Sequence, residues 1–207
     1  MNQHYFSASP AGALEPREIK AVLAGAARTV LTAGGVFSPE QLDRGTGILL
    51  RELAADPALG DDAAGPLLDI GCGWGPIALD AALRDPEREI WAIDVNERSR
   101  ELTRRNAAGL GLERVRVAAP EDVPAELGFA EIRSNPPIRV GKEALHGILR
   151  QWLPRLSAGS EPGVAHFVVA KHLGADSLQR WIATEFPTLE VSRIARDKGF
   201  HVIRAQA

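Results

Sequence analysis

Three short stretches carry residues whose types and spacing could do chemistry. The first is "SNPPI", Ser134 to Ile138. Proline has no N–H to give to a ladder, and the residue before a proline is held extended. Asn135 is therefore expected at a strand end, on a corner made rigid by Pro136 and Pro137. The Asn135 side-chain oxygen and the Pro136 carbonyl could each accept one N–H bond of an exocyclic amine such as guanine N2. To attack a methyl, that planar nitrogen must become more tetrahedral. Two preorganised acceptors would aim its lone pair, so the rate gain would come from orientation and electrostatics. No strong base is needed before attack, because the nitrogen loses its proton once it is cationic. The plainer alternative is a strand stop.

The second stretch is "LLDIGCGWGPIAL", with Asp69, Gly71, Gly73 and Gly75 between a predicted strand and a predicted helix. Glycines let the backbone turn sharply and a ligand approach closely. The spacing is G-x-G-x-G, not the G-x-G-x-x-G of a dinucleotide fingerprint. It fits S-adenosylmethionine, whose amino acid end lies over such a loop. The third feature is Asp94, 25 residues after Asp69 at the end of the next strand, with Val95 beside it. A carboxylate there can accept both ribose hydroxyls. A nicotinamide site with a variant loop, or a structural turn, are the alternatives. Cys72 could be a nucleophile, but a small residue in a tight loop explains it better.

The elements that must position these residues alternate between strand and helix. From about residue 64 the expected order is strand "PLLDI", helix "PIALDAALR", strand "EIWAIDV" and helix "ERSRELTRRNAAG". Strands "RVRVAA" and "FAEIRSNP", helix "KEALHGILRQWL", strand "VAHFVVAK" and helix "DSLQRWIATEF" follow. "LEVSRIAR" and "FHVIRAQ" close the chain as a hairpin around Asp197–Gly199. This is an α/β fold with a doubly wound, mainly parallel sheet and an antiparallel edge. In such sheets ligands sit beyond the carboxyl ends of the strands. The glycine loop and the Asn-Pro-Pro corner are thus expected to face one crevice. Upstream, "LEPREIKAVLAGA" reads as a short helix, "RTVLTAGGVFS" as a hairpin turning at Gly34-Gly35, and "SPEQ" from Ser38 as a helix start. The expected division is 1–63, an arm with helix, hairpin and helix, and 64–207, the catalytic domain.

Composition bounds the function. The 207 residues suffice for one domain with a full core. No apolar run is long enough to cross a membrane, and the N-terminus lacks a signal-peptide layout. One cysteine rules out an internal disulfide and suits a reducing, cytoplasmic setting. A Cys-rich metal site is implausible, and no metal is expected. The net charge of −3 divides into −7 over residues 1–130 and +4 over 131–207. The basic third weighs mildly for RNA and the acidic total mildly against it.

At these residues the chain resembles the class I methyltransferases of the small-domain family, relatives of the 16S rRNA guanine-N2 methyltransferase. "GVFS", "LDRGT", "LLDIGCGWG", "SNPPIRVGKEALH" and "GFHVIRA" occur in the family's order. The resemblance implies a seven-stranded, Rossmann-like sheet, S-adenosyl-L-methionine as donor, and rRNA or the 30S subunit as partner; the oligomeric state, monomer or homodimer, stays open. It implies Asn135, Pro136 and Pro137 as the amine-binding corner. It places Gly71, Cys72, Gly73, Gly75, Asp69, Asp94 and Val95 around the donor. Glu121 falls where an acidic residue contacts the adenine amino group, and Phe37 and Thr46 fall in segments that cover the site. Ile138 stands where many relatives carry an aromatic that stacks on a flipped base. Tyr5, Phe6 and Phe37 are the other stacking candidates. Ala130 replaces the family's usual Asp, with Glu131 next along. Arg139 and Lys142 could hold a substrate phosphate, or form a solvated surface. His146 reads as helix packing. Two other readings stay open: the same chemistry on adenine N6 or a glutamine amide, and a non-catalytic RNA or ribosome partner.

Overall fold

Among the described residues, seven strands join in one sheet, ordered β5-β4-β3-β6-β7-β9-β8, and two more form a separate hairpin, β1-β2. The computed structural model describes residues 13–55, 65–156 and 162–207. The elements are β1 Arg17–Leu23, β2 Ala26–Thr32, α1 Arg44–Ala55, β3 Leu67–Ile70, α2 Pro76–Arg84, β4 Ile90–Ile93 and α3 Glu97–Gly109. They continue as β5 Val115–Ala118, β6 Glu131–Ser134, α4 Lys142–Trp152, β7 Val164–Ala170, α5 Ala175–Glu185, β8 Glu190–Asp197 and β9 Phe200–Gln206. The pairs β4–β5 and β6–β7 are parallel, and β9 runs antiparallel to both β7 and β8. This is the doubly wound fold that the strand–helix alternation predicts.

The described residues divide into two compact units, and each draws on separated stretches of chain. The first comprises 13–43 and 68–125. Its core is Leu68, Ile70, Ile77, Leu79, Ile90, Ile93 and Leu102. Three side chains seat the β1–β2 hairpin within it. The Ala24 N–H donates to Asp80 Oδ1 at 2.6 Å, and the Leu31 N–H to Asn106 Oδ1 at 2.6 Å. Asn106 Nδ2 returns bonds of 2.9 Å to the carbonyls of Leu31 and Trp74. The hairpin is therefore fastened to α2, to α3 and to the glycine loop.

The second unit comprises 44–55, 65–67, 126–156 and 162–207. Its central strand, β7, is buried along its whole length, as its near-continuous apolar run requires. Phe129, Leu149, Trp152, Phe167, Ile182 and Ile203 fill the core around it. Trp181 of α5 stacks on His146 of α4, with centroids 3.5 Å apart and planes 9° apart, so His146 is a packing residue as expected.

Three expectations for the N-terminal third are overturned. "REIKAVL" is a strand, not a helix: its Glu, Lys, Ala and Leu favour helix, but pairing with β2 decides. The hairpin turns at Ala24-Gly25, φ 47° and 76°, not at Gly34-Gly35. Both central residues are left-handed, as a type I′ turn demands, and alanine gives no sequence signal for that. "SPEQ" does not start a helix. Ser38 sits at φ 45° and its hydroxyl donates to the Gln41 carbonyl at 2.7 Å, closing a turn six residues before α1 begins. The boundary expected near residue 64 lies outside the described residues.

Candidate active site

The first unit holds the glycine loop. Gly71 and Cys72 donate their N–H groups to the Ile93 carbonyl at 2.8 and 2.9 Å, which pins the loop to the end of β4. Gly71, Gly73 and Gly75 all take left-handed φ values, 75°, 60° and 98°. A Cβ on Gly71 or Gly73 would meet no atom within 4 Å, so open space lies in front of the backbone there. Gly75 differs: its Cβ would come within 3.0 Å of Thr103 Cγ2, so this glycine serves close packing. Asp69 is fully buried, and its Oδ2 accepts the Ala78 N–H at 3.1 Å in the first turn of α2. It holds the helix start against the loop.

Cys72 is buried, with its Sγ 3.5 Å from Thr103 Oγ1. Burial and the nearby charges of Asp94 and Asp69 push its thiol well above the ordinary range, so it is no nucleophile at neutral pH.

Asp94 follows β4. Its Oδ2 accepts the Gly73 N–H at 3.0 Å and its Oδ1 the Asn96 N–H at 2.8 Å. Burial pushes this carboxyl up from its ordinary value, and the Asn96 and Gly73 N–H bonds oppose the rise. The Ser99 side chain also bonds this carboxylate; a carboxylate offers about four acceptor sites, so room for a hydroxyl donor remains. Val95 beside it is 49% exposed, and Glu121 is exposed in the 3-10 turn Pro120–Asp122 after β5. Asn96 caps α3 by accepting the Arg98 N–H at 2.9 Å, and its Nδ2 donates to the Gly35 carbonyl at 2.9 Å. Arg98 Nη1 holds the Gly34 carbonyl at 2.6 Å. These bonds fix the segment that ends at Phe37, which is 43% exposed.

The second unit holds the corner. Asn135 is half-buried directly after β6, and its Nδ2 donates to Thr46 Oγ1 of α1 at 3.0 Å. That bond sets the rotation of the planar amide, turning Oδ1 away from Thr46. Pro137, at φ −74° and ψ 69°, is the centre of an inverse γ-turn in which Ile138 N–H donates to the Pro136 carbonyl at 2.8 Å. The turn aims this carbonyl and occupies one of its two lone pairs. Ile138 and Arg139 lie in the 3-10 turn Ile138–Val140, the Arg139 side chain being outside the described residues. Lys142 is exposed at the start of α4. Tyr5 and Phe6 lie outside the described residues.

Sequence reasoning missed what stands beneath the corner. Glu131, Arg133 and Asn135 project on one face of the strand, as the two-residue period dictates. Glu131 and Arg133 are almost wholly buried. Arg133 Nε and Nη2 bond the two Glu131 oxygens at 2.6 and 3.0 Å. His166, opposite Arg133 in the β6–β7 register, brings Nδ1 to 3.2 Å from Glu131 Oε1. Burial alone would raise the Glu131 carboxyl. The Arg133 guanidinium and His166 outweigh it and lower the group from its ordinary 4.5 to about 2. Among the described residues no group of three His, Cys, Asp or Glu side chains could hold a metal ion.

A glycine loop with open space before it, a carboxylate at the next strand end and an aimed amide on a Pro-Pro corner, in a sheet of this order, define a class I methyltransferase architecture. The chain belongs to the methyltransferase small domain family, whose pattern matches residues 27–204. It is 33% identical over its full length to 99% of uncharacterized protein YbxB of Bacillus subtilis strain 168. It is 33% identical to ribosomal RNA small subunit methyltransferase C of Pseudomonas syringae pv. tomato, over 64% of this chain and 40% of that one. Among solved structures, the fold is similar to that of the T. thermophilus 16S rRNA N2 G1207 methyltransferase in complex with AdoMet and guanosine. There the TM-score is 0.77 at 22% identity, over 94% of this chain and 51% of that one. The chain thus spans about half or less of the rRNA methyltransferases it matches.

Proposed function

We propose that this protein is an S-adenosylmethionine-dependent methyltransferase acting on the exocyclic N2 amine of a guanine in small-subunit rRNA. The observation that carries the reading is the Asn135 amide, oriented by Thr46 on a corner whose Pro136 carbonyl is aimed by a γ-turn. The residues present fit the donor. Gly71 and Gly73 would leave room for its amino acid end, Asp94 has capacity for a ribose hydroxyl, and exposed Val95 and Glu121 would hold the adenine. When bound, S-adenosylmethionine supplies an electrophilic sulfonium methyl. The chain's own work is to orient the amine. Asn135 Oδ1 and the Pro136 carbonyl each accept one N–H of the target nitrogen, which holds its lone pair in line for attack. The proton leaves after attack, so no residue of high basicity is required, and His146, stacked on Trp181, has no part in the step.

The test is tritiated methyl transfer to 30S subunits and to naked rRNA from a strain lacking the gene, followed by nucleoside mass spectrometry. N2-methylguanosine is the expected product. N6-methyladenosine, or label in protein, would move the same chemistry to another amine. No incorporation by protein that binds the donor in calorimetry would sink the RNA reading. Asn135→Ala should spare donor binding and lower transfer by about 10²-fold or more, the scale of losing one preorganised polar contact.

A further inference from the structure

Beyond the corner, the second unit carries a cluster of exposed cations at the carboxyl end of β7. β7 ends at Ala170, and the 3-10 turn Lys171–Leu173 follows it with all three residues exposed. The Lys171 N–H donates to the Gly199 carbonyl at 2.8 Å, which fastens the tip of the β8–β9 hairpin to this turn. The tip is tight, with Lys198 at φ 46° and Gly199 at φ 83°. Lys198 and Arg196 are exposed there. Burial holds His201 below its ordinary value; the charges of Arg193, Arg196 and Lys171 add to this and that of Asp176 opposes it.

Several other cations of the unit are satisfied by neighbours. Arg51 is bonded to Glu52 at 2.7 Å and Asp197 at 2.9 Å. Arg150 is bonded to Glu185 at 2.6 Å, and Arg193 is bonded to Asp176 and Gln179. The nearby carboxylates Asp197 and Asp176 are thus already taken. Among the described residues, the side chains of Lys171, His172, Arg196 and Lys198 make no hydrogen bond or ion pair. A cluster of like charges kept unpaired costs stability through repulsion, so a counter-charge from outside is the arrangement it fits.

The register places the cluster relative to Asn135. Ser134 stands opposite Phe167 in the parallel β6–β7 pair. Continuing that register sets Asn135 level with Val168 and Lys171 three residues beyond. With a rise of about 3.3 Å per residue and about 4.8 Å between strands, Lys171 lies about 11 Å from Asn135 between α-carbons. The same arithmetic across two strands puts Lys198 about 16 Å away.

We propose that Lys171, Arg196 and Lys198 form the RNA-backbone surface of this protein, holding phosphates beside the nucleotide whose base is presented to Asn135. The inference rests on the RNA reading above. Point charges of this kind fix register and orientation and carry no sequence information. Exposed Leu173 adds an apolar contact beside them, suited to a ribose or an unstacked base.

The experiment is binding of deproteinised small-subunit rRNA over a range of salt. The variants are Lys171→Gln/Arg196→Gln/Lys198→Gln and, as a control on β1, Lys20→Gln. Each phosphate contact contributes about 0.7 to 0.9 to the slope of log affinity against log salt, so the triple variant should lose about 2 to 3 slope units. Its KM for rRNA should rise at unchanged donor affinity, with a melting temperature no lower than the wild type's, since the three side chains have no partners to lose and repel one another. Lys20→Gln should keep the wild-type slope. If the wild type methylates rRNA and the triple variant keeps the slope, the surface assignment is overturned and the function stands. If the wild type binds the donor but no rRNA, the RNA reading falls and this surface with it. Acidic protein would then be the partner class to examine.

Discussion

Thr46→Val separates the two roles open to Thr46. From a buried position on α1, its hydroxyl accepts the Asn135 Nδ2–H at 3.0 Å. Valine keeps the shape and removes the acceptor. A neutral hydrogen bond contributes about 0.5–1.5 kcal/mol net. Asn135 is half-buried, so water can replace only part of the lost partner. The amide torsion is broad and roughly two-fold, so without its partner Oδ1 points correctly for only part of the time. Together these amount to about 1–2 kcal/mol, or roughly 5- to 30-fold in the methyl-transfer step. The assay is single-turnover transfer to rRNA at saturating donor, beside calorimetry of donor binding. We expect a lower rate with unchanged donor affinity, and recovery in Thr46→Ser. A loss of donor affinity as large as the loss of rate would refute the reasoning, because Thr46 would then act against the donor. An unchanged rate would show that the amide is oriented by other means.

Glu131→Gln should cost about 3–5 kcal/mol in chemical denaturation, because it strands the Arg133 charge in the core, whereas Glu131→Leu/Arg133→Met should recover most of that. The Glu131 carboxyl is depressed on folding, so its contribution is complete above about pH 4.5 and is lost as pH falls from there toward 2. The apolar double variant should flatten that acid limb of the stability curve. Asp94→Ala removes a charged acceptor proposed for the ribose and should weaken donor binding about 10- to 150-fold by calorimetry. A thiol reagent at pH 8 should leave Cys72 unlabelled in the folded protein and label it in denaturant; rapid labelling of native protein would contradict its burial.

What was legible in the sequence was what local pattern determines. The alternation of apolar runs gave the strands and helices from β3 onward, because β7 and β3 are buried throughout and the helices carry helical spacing. Asn135 was legible because two prolines stop a strand wherever they occur. The closing hairpin was legible because glycine marks the left-handed turn at Lys198-Gly199. What was not legible depends on partners far along the chain. Thr46 meets Asn135 across 89 residues, and Asn106 meets Leu31 across 75. A lone Thr or Asn carries no pattern that names such a partner. β1 reads as helix in the sequence because its residues favour helix while its partner strand does not, and its turn uses an alanine where glycine or asparagine would announce it. Glu131 and Arg133 look like surface charges in "FAEIRS" because pairing at i and i+2 on one buried strand face is not a pattern that composition reveals.

The chain enters and leaves each unit more than once, and this orders its birth on the ribosome. The first unit has all its segments once residue 125 has been made, so the hairpin, glycine loop and Asp94 can assemble while the remainder is still being synthesised. The second unit must wait for β9, which sits between β7 and β8 and ends at Gln206. A nascent chain released short of that point would hold a finished loop for the donor and an Asn135 with no completed sheet beneath it. Loss of the last ten residues is therefore expected to abolish the corner while sparing the glycine loop.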